Sequence, residues 1–200
     1  MIRKFLKTNE EKFWNWFSKN SNKYLHLEDD RDQLFEELKI QLEKINSNLV
    51  FEFSNILDDG LRELIISADG IKSAFPTVMN LVNHAPVLKK WRIIAFRQPH
   101  QDIAQINYQG LTLQLNDIFV YYMKDSGKID IELHMRGFYE SPEWTGISFI
   151  LLDTVLGEFN AEMYIGGITK KLLIEDSVDN LIPLKDLPRV ILEYQSELNN

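Results

Sequence analysis

From Ile118 to Gly137 the chain reads IFVYYMKDSGKIDIELHMRG, and no other stretch restricts the fold as tightly. Between Lys128 and Arg136 polar and apolar residues alternate: Ile129, Ile131, Leu133 and Met135 fall on one face, Asp130, Glu132, His134 and Arg136 on the other. A side-chain period of two marks a strand with one buried and one polar face. Asp125-Ser126-Gly127 supplies turn chemistry ahead of it, so the segment predicts a β-hairpin. The plan recurs 67 residues earlier, where Asp58-Asp59-Gly60 precedes Leu61 to Asp69, and Gly60 and Gly70 match Gly127 and Gly137. Each run leads into an apolar helical pattern and then a return strand.

The rest of the chain is read around these two units. Thr8 and Glu11 have capping-box spacing, and the helix they open carries FWNWF at residues 13–17, which serves either core packing or a partner. A second helix starts near Asp30, with Leu34, Leu38, Leu42 and Ile45 on one side. In the first unit a strand over Leu49 to Ile56 precedes the turn, Ser73 is expected to cap the helix, and Pro76 falls in that helix's first turn. His84 ends the helix, where a cation meets the negative end of the dipole. Trp91 to Arg97 is the return strand, Gln98 to Gly110 is the least regular segment, and Leu111, Leu113 and Leu115 suggest a short strand. In the second unit Ser141, Pro142 and Glu143 announce a helix start. Trp144, Ile147, Leu151 and Val155 form its stripe, and Phe149, Ile150, Leu152 and Leu156 widen it until burial on most sides is expected. Gly157 closes it, Phe159 to Ile165 is expected as the return strand, Gly166-Gly167 as a turn into Lys171 to Glu175, and Leu187 to Leu198 as the last helix.

The expected architecture is therefore α+β: pseudo-duplicated ββαβ units in one mixed, mainly antiparallel sheet, with two N-terminal helices and a C-terminal helix. A single domain over residues 1–200 is expected, divided into a helical segment (1–47), a first ββαβ unit (48–98), a second (111–166) and a C-terminal extension (167–200).

Charge and cysteine usage narrow the functional classes. A formal charge of −8 disfavours a nucleic-acid partner, whose phosphates call for clustered basic residues, and suits a basic or metal-bearing partner better. With no cysteine there is no disulfide, thiolate nucleophile or zinc ribbon, which fits a reducing cytoplasm. MIRKFLK runs into charged residues without an apolar core, so a secretory signal is not expected, and no window is long and apolar enough for a membrane helix.

FWNWF at 13–17, FEFS at 51–54, ISADG at 66–70, NHAP at 83–86, WRIIAFRQ at 91–98, RGF at 136–138 and LLDTVLGEF at 151–159 together resemble a family of bacterial proteins of similar length. That resemblance spans most of the chain and implies no catalytic or binding residue.

The P-loop, the dinucleotide-binding glycine fingerprint, HExxH, GxSxG and the EF-hand loop are all missing. Two clusters remain as ligand-binding candidates. Asp130, Glu132, His134 and Arg136 share a strand face, and such groups serve as metal ligands or as an acid/base pair. Strand neighbours at i and i+2 stand about 6.5–7 Å apart, however, so one ion could not take all three without another element. Arg97 and His100, with Asp102, lie at a strand exit, a common place for anion sites. Neither cluster identifies a catalytic residue, and no metal or cofactor is expected. The reading these features leave is a non-enzymatic, acidic, cytoplasmic protein that binds another protein, with toxin-neutralising immunity proteins as one concrete form. The alternative is an enzyme or small-molecule binder using a cleft between the two ββαβ units.

Overall fold

A computed structural model describes residues 7–100, 102–174 and 180–198. It is an α+β protein whose described residues form six α-helices and three sheets, four of the six strand pairings being antiparallel. No helix among the described residues is long and apolar enough to cross a membrane. Where the sequence suggests one domain, the chain divides into two compact units, residues 1–97 and 98–200.

The first unit opens with α1 (Asn9–Leu25), capped as its sequence predicts: Thr8 Oγ1 accepts from Glu11 N at 3.2 Å, and Glu11 Oε2 accepts from Thr8 N at 3.0 Å. FWNWF is core, with Phe13, Trp14 and Phe17 buried and Trp16 half-buried. Phe17 meets Trp91 edge-on at 5.2 Å between ring centroids, and Trp14 Nε1 donates to the Leu81 carbonyl at 2.7 Å. α2 (Arg31–Glu43) buries Leu34, Leu38 and Leu42. Tyr24 sits between these helices, its hydroxyl donating to Leu34 O at 3.1 Å, and burial pushes its ionisation well above the ordinary tyrosine value.

β1 (Val50–Phe53) pairs antiparallel with β2 (Arg62–Ser67), which pairs parallel with β3 (Trp91–Ala95). The turn between β1 and β2 closes where predicted: Gly60, at φ +75°, donates to Leu57 O, and Asp59 Oδ1 accepts from Leu61 N at 2.9 Å. α3 (Phe75–Asn83) crosses from β2 to β3 and ends at His84. Ser73 does not cap it; a short 3-10 turn over Lys72–Ala74 leads into Pro76, which needs no amide partner there.

The second unit repeats the plan at larger scale. A hairpin of β4 (Gln105–Tyr108) and β5 (Leu111–Gln114) precedes β6 (Ile118–Asp125) and β7 (Lys128–Met135). Ser126 and Gly127 turn β6 into β7 with φ +43° and +86°, the doubly left-handed geometry that matches strand twist. α4 (Pro142–Leu156) and α5 (Glu158–Tyr164) then return the chain to β8 (Ile165–Leu172), parallel to β7. β9 (Ile182–Pro183) adds to the outer side of β6, giving the order β8-β7-β6-β9, and α6 (Leu187–Leu198) closes the unit. Ile129, Ile131, Leu133 and Met135 are buried in one core with Ile147, Leu151, Val155, Leu187 and Ile191.

Several further expectations are corrected. The two ββαβ units do not share a sheet: each has its own, because Phe96 takes φ +64° directly after β3 and turns the chain out of strand geometry. Phe159 to Tyr164 is helix, and the return strand starts only at Ile165. Gly157 ends α4, but its carbonyl accepts from Ala161 N at 3.0 Å, so the chain re-enters a helix at once, and Lys128 Nζ caps that helix's last carbonyls from β7. Gly166-Gly167 lies within β8 and is not a turn; of the strand expected over Lys171 to Glu175, Lys171 and Leu172 belong to β8 and Glu175 falls outside the described residues. α4 is also less covered than its composition suggests, since Phe149 and Ile150 are 55% and 38% exposed.

Candidate functional site

The alternation that buries Ile129 to Met135 places Asp130, Glu132, His134 and Arg136 on the opposite face of β7, and the two-residue turn sets what flanks them. With Asp125 opposite Lys128, Phe119 pairs with His134, Tyr121 with Glu132 and Met123 with Asp130. On the other side Thr169 lies beside Glu132 and Lys171 beside His134. The face thus carries an aromatic and apolar row on β6, a polar row on β7 and a row with Lys171 on β8.

Each candidate on this face has a local partner. Asp130 Oδ1 accepts from the Gly167 amide at 2.5 Å, next to the irregularity in the β7–β8 register between Ile129 and Ile131. The carboxylate takes an amide that the interrupted ladder leaves aside, and Gly166 and Gly167 leave it room, since an added Cβ at Gly166 would collide with Asp130 Oδ1. Glu132 Oε2 accepts from Lys171 Nζ at 2.8 Å and lies 3.5 Å from His134 Nε2. The Lys171 ammonium, by hydrogen bond and by charge, and then His134, hold the Glu132 carboxyl below the usual range against a smaller opposing effect of burial. His134 is 15% exposed, and its Nε2 is shielded from solvent without a hydrogen bond of good geometry. Arg136 Nε lies 3.4 Å from Asp117 Oδ1 near the surface.

A glutamate held ionised by an adjacent lysine is a weak base, and general acid/base work calls for a group titrating near the working pH. Metal ligation meets a similar obstacle, because Lys171 occupies the Glu132 oxygen nearest His134. Among the described residues no group of three His, Cys, Asp or Glu side chains is placed to hold a metal ion.

Arg97 and His100 fall in different units. Arg97 bridges Glu52 at 3.1 Å and Asp69 at 2.6 Å, tying β1 to the end of β2. His100 is exposed, and its amide donates to the Thr154 carbonyl at 2.7 Å. Asp102 is exposed as well. His84, read as a helix-end residue, has Nδ1 2.7 Å from Asn80 O.

Sequence reasoning missed Lys171, Gly167 and the β6 row of Phe119, Tyr121 and Met123. The β6 row was within reach, because a two-residue turn at Ser126-Gly127 fixes the antiparallel register. Lys171 was not, because a parallel register depends on how the intervening helices pack. Comparison with family models, with curated proteins and with solved structures returned no match for this chain.

Proposed function

We propose that this chain is a non-enzymatic, cytoplasmic binding protein whose partner is a basic protein, recognised by the second unit. The observation that carries the reading is the partition of charge. Residues 1–97 hold 15 basic and 14 acidic side chains, whereas residues 98–200 hold 7 and 16, so the whole net negative charge belongs to the second unit. A field of one sign steers an oppositely charged partner and repels nucleic acid and anionic membrane surfaces. The pairing of Asp130, Glu132, Arg136 and Arg97 with groups of their own unit supports binding over catalysis, because polar groups already engaged do not converge on a substrate. A toxin-neutralising immunity protein remains one concrete form of this reading.

The test is co-purification of the full chain from its own cells at low ionic strength. A discrete protein of high isoelectric point should be retained and should be released as salt rises from about 50 to about 500 mM, where screening shortens to a few ångströms. A chain that retains no basic protein, and instead turns over a metabolite with loss of activity in His134→Ala, overturns the proposal.

A further inference from the structure

We draw no further inference here: the strongest candidate, the outer sheet face on which Tyr121 and Met123 of β6 stand exposed beside Glu132 and Lys171, is an apolar face whose charged neighbours are already paired with each other, and nothing in the structure shows what covers it.

Discussion

At Glu132 one carboxylate oxygen faces the Lys171 ammonium at 2.8 Å and the His134 ring at 3.5 Å, and the nearer decides its chemistry. Because its folded pKa lies below the unfolded value, the carboxylate adds stability above the ordinary range, near pH 4–5, and that contribution is lost as pH falls through the folded pKa. Lys171→Met should therefore raise the Glu132 midpoint toward the ordinary carboxylate value in an NMR titration. The stability difference between parent and variant should be present at pH 7 and vanish once the pH has fallen through the folded midpoint; a difference unchanged at low pH would mean that Lys171 acts through packing. The neighbouring His134 leads to a second expectation. With Lys171 on the shared oxygen and Asp130 bound to Gly167, the purified protein should carry no stoichiometric transition metal. Elemental analysis that finds about one zinc, manganese or iron per chain, lost in His134→Ala, would turn the reading toward metal-assisted hydrolysis.

Among the elements, α4 has to satisfy two environments. Leu151 is fully buried against the sheet, and Leu151→Ala should destabilise by about 2–5 kcal/mol, lowering the urea midpoint, as a cavity that its neighbours refill only in part. Phe149→Ser, two residues away on the open side, should shift stability by no more than about 0.5 kcal/mol, so the pair of variants distinguishes the two faces of one helix. Gly146 offers a finer test. Replacing a helical glycine by alanine ordinarily gains about 1 kcal/mol, but here the Tyr108 ring must first move. Gly146→Ala alone should show little gain, and the gain should appear in a Tyr108→Ser background; a full gain in the single variant would show that the ring yields freely.

For the molecule as a whole, the hydrophobic interior follows the division at Arg97 and Gln98. The aromatic cluster of α1, α2, β1 and β3 lies within the first unit, and the core behind β7 lies within the second. Residues 1–97 produced alone should unfold in one cooperative urea transition, with tryptophan fluorescence reporting the burial of Trp14 and Trp91. A gradual, non-cooperative change would mean that the first unit does not hold its core alone. Among the ion pairs of the first unit are Arg92 with Asp59 and Glu63, and Arg97 with Glu52 and Asp69.

What the sequence determined by itself is what depends on a few adjacent residues. The alternation of Lys128 to Arg136, the turns at Gly60 and Gly127, and the caps at Thr8 and Ser141 are all where their residue types require them, because backbone sterics and short-range hydrogen bonds act within about four residues. Tertiary structure decided the rest. Nothing local in Phe96 announces a left-handed backbone, so the separation of the two sheets could not be read. Phe159 and Met163 alternate like a strand but follow a helix whose end, at Gly157, immediately seeds another. Lys171 reaches Glu132 only through a parallel pairing set by the packing of α4 and α5, and Phe149 is exposed on a helix whose composition predicts burial on most sides. Burial and pairing across a crossover are sums over contacts between residues distant in sequence, and those sums exist only once the chain has folded.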